Sequence, residues 1–134
     1  MLKSVYFLFL LPGLLTFIPC HSREGDTSRL VIVFAGDIMG HDGQIKGAWD
    51  PVSRQYNYEP TFRYIKDYIT DADIAVGNLE VTLGGAPYKG YPAFSSPDAL
   101  ATEARNAGFD ILIQANNHAL DRGEKGFLRT LDVL

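Results

Sequence analysis

The fold is decided by the stretch Leu30-Val31-Ile32-Val33-Phe34-Ala35-Gly36-Asp37-Ile38-Met39-Gly40-His41, an apolar run that ends among glycines and metal-ligand-type side chains. Two further runs follow the same plan: Asp73 to Val76 leads into Gly77-Asn78-Leu79-Glu80, and Phe109 to Ile113 leads into Asn116-Asn117-His118. Near-continuous apolar runs are typical of buried parallel strands, and open α/β sheets bind ligands beyond the carboxyl ends of their strands. We therefore predict three neighbouring strands whose polar tails converge on one crevice.

Helical patterns separate and follow the three runs. Apolar residues recur at helical spacing from Thr61 to Thr70, which predicts a crossover helix. A second helix is indicated by Ser96 as N-cap, Pro97 in the first turn and Gly108 as the stop. Strand and helix thus alternate, which predicts an α/β fold with right-handed crossovers and a parallel sheet covered on both faces. A third helix carries three apolar residues on one face: Phe127, Leu131 and Leu134.

Residues 1–22 have the features of a secretory signal. Lys3 precedes an apolar stretch, residues 5–18, which is shorter than the roughly 20 residues that span a bilayer. We expect export to the periplasm or cell envelope, a linker at residues 23–29 and one domain from residue 30 to residue 134. The last helix has no stop signal, so we expect the N-terminal, truncated part of a longer protein.

Cys20 is the only cysteine, and it stands at the end of the signal. It could be the acylated cysteine of a lipid-anchored protein, although Pro19 occupies the place of the usual small residue. Cleavage near Ser22 is the other possibility. In both cases the exported part has no cysteine pair, which excludes a disulfide scaffold.

The charge balance excludes one class of partner. The formal net charge is -4, and lysine and arginine do not cluster. Because nucleic acid binding needs a basic surface, we expect no nucleic acid partner.

The first two strand ends carry candidate metal ligands. Asp37 could coordinate a metal, or it could hydrogen-bond backbone groups of an ordinary turn. His41 could be a further ligand or a surface histidine. Asn78 and Glu80 point to the same side of an extended chain, so Glu80 could bridge two cations, or both could belong to a solvated loop.

The third strand end is the most specific of the three. Asn116, Asn117 and His118 combine amide oxygens with an imidazole, a donor set suited to Mn, Fe or Zn. A polar turn with asparagine in left-handed geometry is the alternative. Asp121 could orient the His118 imidazole, or it could cap the last helix.

The motifs that contain these residues, taken in order, carry a resemblance to a known family. They resemble the bacterial CapA family of capsule synthesis proteins, named for poly-gamma-glutamate capsule assembly, over essentially all of residues 30–134. The matching motifs are Ala35-Gly36-Asp37-Ile38-Met39, Gly77-Asn78-Leu79-Glu80, Phe94-Ser95-Ser96-Pro97, Gly108-Phe109-Asp110, Ala115-Asn116-Asn117-His118-Ala119-Leu120-Asp121-Arg122-Gly123, then Gly126 and Thr130-Leu131.

The resemblance implies a calcineurin-like metallophosphoesterase fold, a layered sheet core with flanking helices, of which this chain holds the βαβαβα portion. Asp37 would be the first metal aspartate, Glu80 the carboxylate that bridges two divalent metal ions, and Asn117 a further metal ligand. His118 would be the catalytic histidine at the leaving group. The usual first motif is Asp-x-His, whereas here His41 stands four residues after Asp37, which makes His41 doubtful as a ligand. The usual second motif has Asp where this chain has Glu80.

Two functions follow from the resemblance. The first is metal-dependent hydrolysis of a phosphoester, although residues 122–134 contain no histidine to complete the site, so this portion alone is expected to be inactive. The second is a non-catalytic envelope protein that binds an anionic capsular polymer or assists its export. Both imply an anionic polymer or phosphoester ligand and contact with membrane-bound capsule synthesis machinery.

Overall fold

The structure is a computed structural model and describes residues 28–134. The predicted signal, Cys20 and most of the linker therefore lie outside the described residues. No helix within residues 28–134 is long and apolar enough to cross a membrane. The strands and helices, in chain order, are β1 (Ile32–Ile38), α1 (Asp42–Ala48), β2 (Trp49–Asp50), β3 (Gln55–Tyr56), α2 (Glu59–Phe62), α3 (Lys66–Thr70), β4 (Ile74–Leu79), α4 (Ala99–Ala107), β5 (Ile111–Ile113) and α5 (Gly123–Val133).

The three predicted strands form one parallel sheet in the order β1-β4-β5. The central strand β4 pairs with both neighbours: Val76 lies opposite Phe34 on one side and Ile111 on the other. All three strands therefore end at the same edge of the sheet. The predicted fold class is confirmed: a mixed α/β arrangement with flanking helices that fits part of a metallophosphoesterase-like core.

One face of the sheet packs against the helices. The buried stripe of α4 is the predicted one, and Gly108 ends this helix in the left-handed conformation at φ 109°. The start of α4 differs from the prediction, because Asp98 and not Ser96 is the N-cap residue. Ser96 is instead fully buried, and its Oγ lies only 2.5 Å from where a Cβ of Gly40 would stand. Ser96 thus packs against the end of β1.

The predicted crossover helix from Thr61 to Thr70 is two short helices. Between α2 and α3, the backbone N–H of Ile65 bonds to the carbonyl of Phe62, a three-residue turn that is tighter than an α-helix. This turn leaves Phe62 and Ile69 buried in the core, whereas Tyr68 is exposed.

The buried face of α5 is not the predicted apolar one. Gly126 and Thr130 are buried, while Leu131 and Leu134 are about half exposed. Thr130 Oγ1 accepts a hydrogen bond from the Leu83 N–H at 2.9 Å and donates one to the Gly126 carbonyl at 2.8 Å. The helix therefore docks on the loop after β4 through small residues and hydrogen bonds, which hydrophobic periodicity does not detect.

The second face of the sheet also departs from the prediction. Within residues 28–134 no element covers it, and it carries exposed apolar side chains of the two edge strands. These are Ile32 and Phe34 of β1 and Ile111 and Ile113 of β5.

Candidate metal centre

A β-bulge at the end of β1 sets the position of Asp37. Ala35 pairs with Gly77 and Ile38 pairs with Leu79, so two residues of β1 face one residue of β4. An extra residue of this kind bends the strand and redirects its side chains. The bulge brings Asp37 to the side chain of Asn78, which the regular register of two parallel strands does not predict.

The Asn78 side chain joins all three strand ends. Its Nδ2 donates hydrogen bonds to Asp37 Oδ1 at 3.0 Å and to Glu80 Oε2 at 2.7 Å. Its Oδ1 accepts a hydrogen bond from Asn116 Nδ2 at 3.0 Å. One amide therefore holds two carboxylates on one side and the loop after β5 on the other.

The Asp37 and Glu80 carboxyl groups interact directly. The Asn78 amide, followed by a hydrogen bond with Glu80, lowers the pKa of Asp37 below its usual value. The pKa of Glu80 is raised, first by its hydrogen bond with Asp37 and then by burial and the Asp37 charge, while His118 acts in the opposite direction. Two carboxyl groups this close favour holding one proton between them, or a cation in its place.

The loop after β5 brings the third predicted motif to the same place. Asn116 donates a second hydrogen bond to the Leu79 carbonyl at 3.1 Å, and its Oδ1 accepts one from the His118 N–H at 3.1 Å. Asn117 is exposed and, like Asn116, lines a cleft of about 550 Å³ beside Leu120. Within residues 28–134 no hydrogen bond joins the Asn117 side chain to the cluster, whereas Asn116 is bonded into it.

His118 is held by Asp121. His118 Nδ1 and Asp121 Oδ2 are 2.7 Å apart, and both side chains are more than four-fifths buried. The same carboxylate oxygen accepts the Phe94 N–H at 2.8 Å. The residue at the N-cap of α5 is Arg122, so the capping alternative for Asp121 is wrong and its carboxylate instead orients the imidazole.

Phe94 links the two histidines of the site, a role that was not predicted from the sequence although Phe94 begins one of the family motifs. Its fully buried ring meets the His118 ring at 4.7 Å and the His41 ring at 5.0 Å, both edge to face. His41 itself is exposed and precedes α1, where its N–H donates to Gln44 Oε1 at 2.8 Å. Its place at the start of the motif Phe94-Ser95-Ser96-Pro97 was the signal available in the sequence.

Within residues 28–134, no group of three or more histidine, cysteine, aspartate or glutamate side chains is close enough to hold a metal ion. The donors that do meet are the carboxylates of Asp37 and Glu80, joined through the Asn78 amide. Carboxylate and amide oxygens are hard donors, so the set fits a divalent cation in chemical type. The fold and site together define an α/β protein with a polar cluster at the shared carboxyl edge of parallel strands.

Comparisons with known proteins give the family. A family model described as bacterial capsule synthesis protein PGA_cap matches residues 31–134. The capsule biosynthesis protein CapA of Bacillus anthracis is 28% identical over 119 residues, which cover 84% of this chain. The uncharacterized protein y4sH of Sinorhizobium fredii is 31% identical over 86 residues, 58% of this chain. The chain belongs to the bacterial capsule synthesis protein family, and the predicted resemblance to CapA proteins is confirmed.

The match spans a minor part of each relative. It covers 27% of the Bacillus anthracis protein and 18% of the Sinorhizobium fredii protein.

Proposed function

We propose that this chain supplies part of a metal-dependent phosphoester hydrolase site in an exported capsule synthesis protein. The observation that carries the proposal is the meeting of Asp37 and Glu80 on one Asn78 donor, at 3.0 and 2.7 Å. Two acidic groups fixed by a neutral amide are suited to a cation, because an ion can replace the proton that the pair otherwise shares.

The residues that would hold divalent metal are Asp37, Glu80 and the amide oxygen of Asn117, with Asn78 and Asn116 positioning them. A bound cation would supply Lewis acidity and would lower the pKa of a coordinated water toward about 7. The ion would be Mn, Fe or Zn, and two ions are expected in a complete site. The His41 ring packs against Phe94, and within residues 28–134 no hydrogen bond joins it to either carboxylate.

His118 is proposed to act on the leaving group. Because Asp121 occupies Nδ1, the Nε2 atom is the nitrogen that remains to donate a proton or a hydrogen bond to a developing charge. Its place near the carboxylates is supported by its effect on the pKa of Glu80. The substrate class is a phosphoester, or an anionic polymer that carries one.

Location and partners complete the proposal. Residues 1–22 would direct export to the periplasm or envelope, with Cys20 as a possible lipid anchor, and the protein would meet membrane-bound capsule synthesis machinery there. These statements rest on the signal-like sequence and on the family.

A second function is favoured by one observation. Since no three acidic, histidine or cysteine side chains converge within residues 28–134, the chain could bind an anionic capsular polymer without hydrolysing it. In that case a cation held by Asp37 and Glu80 would face the negative charge of the polymer, and the site would need no turnover.

The experiment that separates the two functions combines metal analysis with activity assays. The full-length protein is purified, analysed for bound metal and tested on a phosphodiester and a phosphomonoester, together with its Asp37→Ala and His118→Ala variants. We expect Asp37→Ala to lose metal and activity, and His118→Ala to keep metal but lose activity. Asp71→Ala, at an exposed aspartate that ends α3, is the matched control and should change neither. Full-length wild-type protein with neither metal nor turnover would refute the enzymatic function.

A further inference from the structure

A cleft of about 350 Å³ lies outside the acidic cluster. It is formed where α1 meets the small β2-β3 hairpin, and the loop after β4 closes one side. Three aromatic rings line it: Trp49, Tyr56 and Tyr88, with Asp42 and Lys46 at polar positions of the lining. None of these five side chains takes part in the proposed metal chemistry.

The rings are arranged around a space rather than stacked on one another. Trp49 and Tyr56 are opposite each other in the hairpin, with ring centres 5.0 Å apart and planes at 59°. Tyr56 and Tyr88 are 5.3 Å apart at 86°. Trp49 remains 41% exposed, which is unusual for so large an apolar side chain and leaves its surface available to a ligand.

Hydrogen-bonding groups accompany the rings. Asp42 Oδ1 accepts the Gly90 N–H at 2.6 Å, and within residues 28–134 its Oδ2 accepts no hydrogen bond from the protein. The cleft thus offers the second Asp42 carboxylate oxygen and the Lys46 ammonium beside the aromatic rings.

These features select one ligand chemistry. The ring planes cross at 59° and 86°, so they form no parallel slot that would enclose a planar base on both of its faces. A polyanion would meet the Asp42 carboxylate, which offsets the charge of Lys46. A sugar ring has apolar C–H faces that pack on aromatic rings and hydroxyl edges that bond to a carboxylate and an ammonium.

A series of neighbouring residues and ring contacts connects the cleft to the acidic cluster. Asp42 follows His41, whose ring contacts Phe94, and Phe94 contacts His118. Gly90 comes so close to this corner that a Cβ there would lie 2.8 Å from the Asp42 nitrogen. We propose that this aromatic cleft binds a neutral sugar ring of the substrate whose phosphoester occupies the acidic cluster, an inference that rests on the proposed function.

Trp49 makes the test direct, because it is the only tryptophan in the chain. Its fluorescence is titrated with N-acetylglucosamine trimer, in metal-free buffer so that no turnover is required. We expect a saturable change, weakened about tenfold in Tyr88→Ala, which loses a ring contact, and retained in Tyr88→Phe, which keeps the ring. Tyr64→Ala, at an exposed tyrosine outside the cleft, is the matched control and should bind as wild type does.

The outcomes separate this inference from the proposed function. Asp37→Ala should lose metal yet titrate with the sugar normally, so a failure of the metal site leaves the sugar result standing. A wild-type protein with no saturable response to the sugar would overturn the inference. So would tighter binding of a gamma-glutamate trimer than of the sugar, which would assign the cleft to a polyanion. Thermal melts of each variant exclude misfolding as the cause of lost binding.

Discussion

Replacing Tyr58 with phenylalanine should make the protein more stable. Tyr58 is only 2% exposed, and its hydroxyl has no hydrogen-bond partner among residues 28–134. A buried hydroxyl without a partner loses its bonds to water and gains none in the fold, at a cost of about 1 to 3 kcal/mol. Tyr58→Phe removes that cost and keeps the ring, so the free energy of unfolding at pH 7 should rise by about that amount.

The same burial predicts how stability depends on alkaline pH. Burial raises the pKa of Tyr58 to about 12 from its ordinary value of 10.0, with smaller contributions from Tyr56 and Tyr88. Between pH 10 and pH 12 the unfolded chain ionises at this position while the folded chain keeps its proton, so rising pH favours unfolding. Two pKa units correspond to about 2.7 kcal/mol of stability that is present below pH 10 and lost by pH 12.

Urea unfolding of wild type and Tyr58→Phe, followed from pH 7 to pH 12, measures both effects. The stability difference between the two proteins should be about 1 to 3 kcal/mol at pH 7 and should widen by about 2.7 kcal/mol at pH 12. Tyr64→Phe is the control, because Tyr64 is 85% exposed and its hydroxyl can bond to water in both states. A variant less stable than wild type at pH 7 would refute the reasoning, since the hydroxyl would then have a stabilising partner.

Three further predictions concern the site and its packing. Asn78→Asp replaces the donor to two carboxylates with a third carboxylate, so the metal-free variant should have a lower melting temperature than wild type. Mn²⁺ should raise the melting temperature of the variant again. A melting temperature that Mn²⁺ does not change would contradict cation binding. In the full-length protein, Asp121→Asn should reduce phosphodiester turnover about 10- to 100-fold with metal content unchanged, because the His118 imidazole loses its orienting carboxylate; unchanged kinetics would contradict this. Gly77→Ala should destabilise the fold by about 1 to 3 kcal/mol in urea melts, because the new Cβ would lie 2.8 Å from a core side chain. Gly43→Ala, with open space around it, should be neutral or stabilising. Equal effects of the two substitutions would contradict the packing argument.

The sheet could be predicted from sequence because its signal is local and strong. Three apolar runs, the first two closed by glycine, specify the three parallel strands, and α4 is marked by its buried stripe and by Gly108. The boundaries were less accurate, since β1 continues through Asp37 to Ile38. The apolar run ends at Ala35, whereas the backbone pairing that defines the strand continues to Ile38.

The errors share a physical cause. The docking of α5 uses Gly126 and Thr130, where a small side chain and a hydroxyl permit close approach and hydrogen bonding. The uncovered face of Phe34 depends on which elements pack there, which the pattern of one strand cannot specify. Hydrophobic periodicity detects burial by apolar side chains only, so contacts between small or polar residues escape it.

The site follows the same division between what is local and what is long-range. The candidates were found because acidic, amide and imidazole side chains recur at strand ends. Their bonding was not foreseeable, because the contact between Asp37 and Asn78 requires a bulge whose two paired strands are about 40 residues apart in sequence. The role of Phe94 could not be predicted for a similar reason. It depends on a hydrogen bond from the Phe94 N–H to Asp121, which lies 27 residues further along the chain. A residue that positions others carries no chemical signature of its own, so only the folded contacts reveal it.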